Sequence, residues 1–209
     1  MDINLRAGRP DDAERLGNIV YEAFRTISEQ HNFPPDFPAP EAGIGFMQMA
    51  LSRQDIYSVV AEIDGAAVGS NFLWEGNEVS GVGPITVDPQ QQNSAIGRKL
   101  MEDVIRRSDE KGFPSVRLVQ AAYHNRSLAL YTKLGFNTVE PLSTIQGAPL
   151  NLKIQGYDVR PGSEQDLEEV TRLCRQVHGH TRRRDFLDGV AQGTAYIVEH
   201  DGKITGYTT

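Results

Sequence analysis

The sequence predicts an α/β fold in which helices flank a mixed central sheet. A β-hairpin is indicated in the first third, where two apolar segments surround the turn dipeptide Asp64-Gly65. Strand-like and helix-like segments alternate after it, which is typical of a sheet covered by helices. The composition is that of an ordinary globular protein, with 39% hydrophobic and 23% charged residues. A chain of 209 residues allows one large domain, or one domain and a fragment.

The first half of the chain begins with a short strand over residues 3–6. Asp11 and Asp12 are suited to precede a helix, because the apolar residues that follow recur with helical spacing. Residues 31–40 hold four prolines and two phenylalanines, so we expect an ordered loop without regular structure. A second helix is expected through residues 46–50.

The later elements follow from the same patterns. The hairpin strands cover residues 56–62 and 66–74. Beyond them the sequence predicts, in order, a strand over 82–87, a helix over 94–108, a buried strand over 116–119 and a helix over 127–134 that ends at Gly135.

An internal repeat divides the chain. Residues 157–162 align with 3–8, which sets Arg160 under Arg6, and residues 198–206 align with 61–69, with the Asp-Gly turn at the same place. Either similarity alone is weak, since Asp-Gly is a common hairpin turn. Together they predict a complete domain over residues 1–152 and a partial second copy, its N-terminal half, over 156–209.

A half domain should leave groups without partners. We expect the sheet of the partial copy to expose apolar side chains, namely Tyr196, Ile197, Val198 and Ile204. The chain would then be a shortened form of a longer tandem protein, or the half domain would pack against the first domain or form a homo-oligomer.

Charge and cysteine content narrow the class of partner. With 21 basic and 28 acidic residues, the chain has no positive field for nucleic acid or an anionic membrane. Its one cysteine, Cys174, excludes an internal disulfide, and no Cys/His cluster has the spacing of zinc ligands. Without a leader or a long apolar segment in this sequence, we expect a soluble cytoplasmic protein that binds neither metal, membrane nor nucleic acid.

The most informative segment runs from Val87 to Leu100, where a strand passes through a polar loop into a helix. The N–H groups of such a loop and of the first helical turn have no partner within the helix, and the helix dipole adds partial positive charge. Pyrophosphate is a natural ligand for the amides of Asn93 to Arg98. The small residues Ser94, Ala95 and Gly97 allow it to approach the backbone.

Gln92-x-x-Ala95-x-Gly97, which follows Val87-x-Pro89, resembles the coenzyme A motif of the GCN5-related N-acetyltransferase family. Ala95 replaces the usual first glycine, a change that is tolerable if φ there is negative. A second motif, Tyr131-x-x-Leu134-Gly135-Phe136, resembles the end of the helix that closes the family's domain.

The resemblance implies acetyl-CoA as cofactor and a primary amine, on a small molecule or a protein, as the acceptor that attacks the thioester directly. It implies that Tyr131 protonates the departing thiolate. It places pantetheine on Asn125, although the family's usual asparagine position is His124 here and Asn125 is otherwise a helix N-cap. The implied cofactor-binding residues are Ile85 and Val87, on a strand that splays from its neighbour, with Gln92, Asn93, Ser94, Ala95, Ile96, Gly97, Arg98 and Asn125.

The residue that accepts the amine proton is not marked by any motif. Glu75 and Glu78 precede the cofactor strand and are candidates, with His124 or ordered water as alternatives. Trp74, Phe33 and Phe37 are suited either to an acceptor pocket or to core packing.

A second function remains open, that of a non-catalytic acyl-CoA-binding or regulatory module. A nucleotide site is disfavoured, because the chain has neither a P-loop nor a dinucleotide fingerprint.

Overall fold

The computed structural model describes residues 2–145, 147–148, 150 and 152–209. The chain forms two compact units. The first comprises Met1–Glu75 and Ser80–Phe136, and the second Gly76–Val79 and Asn137–Thr209. Within the described ranges, no helix has the length and apolar character needed to cross a bilayer.

The first unit opens with a strand, two helices and a hairpin, as predicted. Arg6 on the first strand binds Asp12 and Glu62, so one guanidinium joins the strand to the start of the first helix and to the hairpin. The elements are β1 (Asn4–Ala7), α1 (Ala13–Gln30), α2 (Pro40–Ser52), β2 (Ile56–Ile63) and β3 (Ala66–Trp74).

The remaining elements complete a mixed sheet of order β1-β2-β3-β4-β6, with β5 also paired to β3. The pairings are antiparallel except that of β4 with β6, which is parallel. These elements are β4 (Ser80–Val82), β5 (Thr86–Val87), α3 (Ile96–Glu110), β6 (Val116–Arg117) and α4 (Asn125–Lys133).

Two strand predictions need correction. The strand expected over residues 82–87 is broken between β4 and β5. The strand expected over 116–119 pairs only through Val116 and Arg117, and Val119 is 77% exposed, so its apolar character does not mark burial.

Helices cover both faces of this sheet. On one face, α1 and α2 bury Val60 and Phe72, and the two helices meet so closely that a Cβ on Gly17 would lie 2.4 Å from the Cα of Ile44. On the other face, α3 buries Val59 and Ala61. The first unit is therefore a three-layer α/β fold.

The second unit has its own antiparallel sheet of order β7-β8-β9. Its core joins Val170 and Phe186 of the helices to Ile197 and Ile204 of the strands. The elements are β7 (Tyr157–Pro161), α5 (Leu167–His178), α6 (Arg183–Gln192), β8 (Tyr196–His200) and β9 (Lys203–Thr208).

The expectation that this sheet exposes its apolar residues holds for one face only. Ile197 and Ile204 are buried in the unit's own core, so the prediction that they are exposed was wrong. Val198 is half-buried, so its exposure was overstated. On the opposite face Tyr157, Val159 and Tyr196 are exposed.

Candidate active site

The loop between β5 and α3 is fixed by its own side chains. The Asp88 carboxylate accepts a hydrogen bond from the Gln90 N–H at 3.0 Å, and it forms an ion pair with Arg15 of α1 at 2.7 Å. The first backbone bond into α3 runs from Lys99 N–H to Ala95 O, at 3.1 Å. The N–H groups of Ile96, Gly97 and Arg98 therefore lack intrahelical partners, which makes this stretch a candidate anion-binding turn.

Ala95 does not meet the condition of a negative φ under which it would replace glycine without strain. Its φ is 64°, in the left-handed region, and Asn93 in the same loop has φ 69°. Asparagine tolerates this conformation, whereas alanine carries strain of roughly 1 kcal/mol or more. The glycine that Ala95 replaces would adopt it freely.

Gly97 lies where the backbone is open. A Cβ there would be 3.7 Å from Leu130 and 3.9 Å from Val87, which are ordinary contacts. The folded protein thus has room for a side chain at this position. A larger residue here would therefore interfere with a ligand bound at the start of the helix rather than with the fold.

The strand that leads into the loop is paired on one side. β4 pairs with β6 at Ser80 and Gly81, but β5 pairs with β3 alone among the described strands. Asp88 donates its N–H to Val68 of β3 at 2.8 Å. Because N–H groups alternate along a strand, that of Val87 points away from β3, toward the gap, whereas Ile85 lies just before β5.

His124, not Asn125, caps α4. The Ser127 N–H donates to His124 Nδ1 at 3.2 Å, and Asn125 is the exposed first residue of the helix, so the N-cap alternative for Asn125 is wrong. Burial lowers the pKa of His124, and the charge of Arg126 adds to this effect. A neutral ring that accepts at Nδ1 carries its proton on Nε2. His124 is therefore arranged as a hydrogen-bond donor rather than as a base.

Tyr131 lies in the core beneath α3. It is 8% exposed and packs edge-on against Phe136, with ring centroids 6.1 Å apart. Burial raises its pKa to about 12, and a hydrogen bond with Ser127 opposes this shift. The phenol therefore holds its proton at neutral pH, as a proton donor must.

The two glutamates are engaged in ion pairs and hydrogen bonds. Glu75 forms an ion pair with Arg107 at 2.7 Å. Arg107 lies in the last turn of α3, about 16 Å along that helix from the anion-binding turn. Glu78 belongs to the second unit, where it accepts the N–H and hydroxyl of Thr181, each at 3.0 Å, and pairs with Arg175. The hydrogen bonds from Thr181 lower the pKa of Glu78.

Sequence reasoning missed Arg126. Its guanidinium donates to the side-chain oxygens of Gln92 and, at 3.4 Å, Asn93, so it spans from α4 to the loop. A cation in the first turn of a helix opposes the helix dipole, and that local conflict was a readable signal. The residue borders a cleft of the first unit that is lined by Ala23, Thr26, Ile27, Gln30, Gln92, His124 and Arg126.

The aromatic candidates have separate roles. Phe37 and Trp74 pack with Phe46 on the core under α2, so core packing is their role. Phe33 is 52% exposed and stacks on Tyr123 at 4.6 Å, tying the proline-rich loop to the segment before α4. The described residues include no group of three or more His, Cys, Asp or Glu arranged for a metal ion.

Known proteins match this part of the chain. The sequence model described as "Acetyltransferase (GNAT) family" matches residues 18–136. A D-amino-acid N-acetyltransferase of Saccharomyces cerevisiae is 37% identical over 65 residues, which are 31% of this chain and 40% of that protein. The alignment thus spans less than half of the yeast relative.

Solved structures share the fold at low identity. A mutant of the BH1408 protein of Bacillus halodurans has a TM-score of 0.60 at 13% identity, covering 68% of this chain and 98% of its own. The PaiA N-acetyltransferase of Thermoplasma acidophilum, solved with coenzyme A, has a TM-score of 0.57 at 18% identity, covering 68% and 93%.

Proposed function

This chain belongs to the acetyltransferase (GNAT) family, and on that basis we propose that it transfers the acetyl group of acetyl-CoA to a primary amine of a small molecule or protein. One observation carries the proposal. The strand β5, which pairs on one side, is joined by residues 88–95 to the turn at the start of α3, so an open strand edge and a candidate phosphate site lie at the two ends of one short connection.

The residues of the loop fit the cofactor. Acetyl-CoA would supply an activated acetyl thioester. We assign its pyrophosphate to the amides of Asn93, Ser94, Ala95, Ile96, Gly97 and Arg98, beside Gln92, and its pantetheine and acetyl groups to the N–H groups of Ile85 and Val87. Asn125, exposed at the start of α4, is assigned to pantetheine as well. The support is geometric: the turn has orphan amides, and a Cβ at Gly97 would meet only ordinary contacts, with Leu130 and Val87.

Proton movements are assigned to different groups. Tyr131 is proposed to protonate the leaving thiolate, since its phenol is protonated at neutral pH. Glu75 and Glu78 stay candidates for the base, but each carboxylate already has cationic or hydroxyl partners. We favour loss of the amine proton to water in the cleft. The name of the yeast relative makes amino acids the first acceptor class to test.

We also propose that residues 156–209 are a partial copy of the domain formed by residues 1–152. The two openings share the order of strand, helices and hairpin, and a bulge falls at Ala61/Glu62 and at Val198/Glu199. Arg160 contacts Asp166 and Glu199 as Arg6 contacts Asp12 and Glu62. The exposed face of the partial copy would pack against the first domain or against another copy of the chain in a homo-oligomer. We propose the cytoplasm as the location of the protein.

A thiol-release assay tests the activity. The purified chain is mixed with acetyl-CoA and a panel of D- and L-amino acids, polyamines and peptides, and free thiol is followed against time. Turnover with at least one amine supports acetyl transfer. Calorimetric binding of acetyl-CoA without turnover on any amine would favour the non-catalytic module, for which the strained Ala95 is the supporting observation.

A further inference from the structure

Arg126 differs from seven other arginines of its unit in the groups it contacts. Its hydrogen-bond partners are the neutral amide oxygens of Gln92 and Asn93. Other arginines of the same unit contact carboxylates, namely Arg6, Arg15, Arg25, Arg53, Arg98, Arg106 and Arg107. A guanidinium held by amide oxygens keeps its full charge available to an anion.

The position of Arg126 adds to this contrast. It is the second residue of α4, where the helix dipole disfavours a cation. The seven residues that line the adjacent cleft include no carboxylate. Both the charge and its setting therefore favour an anionic ligand over the partners that the side chain has here.

Gln92 links Arg126 to the cofactor strand. Its side-chain oxygen accepts from Arg126, and its side-chain nitrogen donates to Val87 O at 3.3 Å. The guanidinium thus lies at the entrance of the loop whose orphan amides belong to Ile96 and Gly97. Those amides offer partial charge only, so a full positive charge beside them strengthens the binding of phosphate.

We propose that Arg126 binds a phosphate group of coenzyme A, exchanging its contacts with Gln92 and Asn93 for phosphate oxygens. This assignment rests on the proposed function. Arg126 then sets the preference of the site for the phosphorylated cofactor over its pantetheine portion. The phosphate is that of the pyrophosphate or of the 3′-phosphate, and truncated ligands distinguish the two.

The test combines protein variants with ligand truncations. Calorimetry measures the Kd of CoA, dephospho-CoA and pantetheine for the native chain, Arg126→Gln and Arg126→Lys. We expect Arg126→Gln to weaken CoA about 10- to 100-fold, Arg126→Lys to weaken it less, and both to leave the weak pantetheine affinity unchanged. An equal loss for dephospho-CoA assigns the pyrophosphate, and no loss for dephospho-CoA assigns the 3′-phosphate.

Lys133→Gln is the matched control, because it removes one positive charge from the last turn of the same helix. It should change the Kd of CoA less than about twofold, since an exposed charge at that distance is screened. Native affinity for CoA in folded Arg126→Gln, or an equal weakening of pantetheine, would overturn the role of Arg126. Failure of the native chain itself to bind CoA would instead overturn the proposed function.

Discussion

The two units of this chain begin alike and then diverge. Each opens with a strand whose arginine reaches the aspartate at the start of the next helix, at 2.7 Å for Arg6–Asp12 and 2.7 Å for Arg160–Asp166. In each, that arginine also contacts a glutamate on the hairpin. A strand, two helices and a hairpin therefore form a frame that closes its own core on one face of the sheet.

The units differ on the other face. In the first, α3 covers it and buries Val59 and Ala61; in the second, Val159 and Tyr196 remain exposed. The anion-binding turn lies at the start of α3, the element that the second unit lacks among its described residues. The comparison teaches that the frame supplies stability, whereas the candidate chemistry resides in the elements laid over the second face.

The largest effect should come from closing the anion-binding turn. Gly97→Val should weaken acetyl-CoA binding by at least about 100-fold, or about 2.7 kcal/mol, because its side chain would fill the space beside Leu130 and Val87 next to the turn that is proposed to hold the pyrophosphate. Calorimetry should give one cofactor per native chain. Gly206→Val in the second unit is the control and should leave the affinity unchanged. Two cofactors per chain would break the comparison.

A second pair of variants measures how differently the two faces are packed. Gly69 and Gly206 are aligned in the repeat, yet a Cβ on Gly69 would lie 2.6 Å from Thr86 O, whereas one on Gly206 would lie 3.7 Å from the nearest atom, in Val198. Gly69→Ala should lower the free energy of unfolding by about 1–3 kcal/mol, and Gly206→Ala should change it by less than about 0.5. Urea titrations measure both, and equal losses would contradict the difference.

Removal of the Tyr131 hydroxyl should affect chemistry more than binding. In Tyr131→Phe we expect kcat to fall about tenfold, or about 1.4 kcal/mol, while the Kd of acetyl-CoA stays within about twofold, because the hydroxyl acts only as thiolate charge develops. Phe136→Leu perturbs the packing of the same ring without removing the hydroxyl and serves as control. An unchanged kcat at saturating acceptor would leave Tyr131 a packing residue.

Restoring glycine at position 95 should relieve strain in the turn. Ala95→Gly should raise the free energy of unfolding by about 0.5–1 kcal/mol, because the left-handed backbone no longer strains a Cβ, partly offset by a more flexible unfolded chain. An Ala→Gly change at an unstrained helical position has the opposite sign. Ala50→Gly, at a buried position of α2, is such a change and should lower stability.

The smallest effect concerns pH. The pKa of His124 is lowered in the folded protein, so its stabilising contribution is present above the unfolded value near 6.5 and is lost as pH falls from there toward the folded pKa. His124→Asn keeps a capping side chain without titrating and should abolish this acid-side loss. Thermal unfolding between pH 7 and pH 5 compares the variants; a pH profile identical to the native one would exclude His124 as its source.

The fold was readable from the sequence wherever periodicity and turn chemistry agreed. The hairpin at Asp64-Gly65 and the paired openings of the two units are such cases, because each local signal has one structural solution. The break at residues 83–85 has a signal that the prediction of one strand passed over, because Gly83-Pro84 interrupts a strand pattern. The exposure of Val119 was not readable, since an apolar residue does not by itself mark burial.

The candidate site was readable in part for a related reason. The loop from Gln92 to Gly97 has a local signature, and the cation Arg126 in the first turn of a helix is a weaker one. The partners of Arg126 and His124, however, depend on which element packs beside them. The positive φ of Ala95 could not be read, because alanine normally avoids it. A contact between side chains of two different elements cannot be predicted from the pattern of either segment alone.

The one-sided pairing of β5 has a consequence for the stability of the folded protein. A strand edge inside a domain leaves backbone groups to water until a ligand completes the row, so under the proposed function the cofactor acts as one more member of the sheet. A ligand that binds only the native state stabilises it by RT ln(1 + [L]/Kd), about 2.7 kcal/mol at 100 times Kd. Under the proposed function, the folded fraction of the protein, and with it the resistance to proteases, would then rise with the concentration of acetyl-CoA.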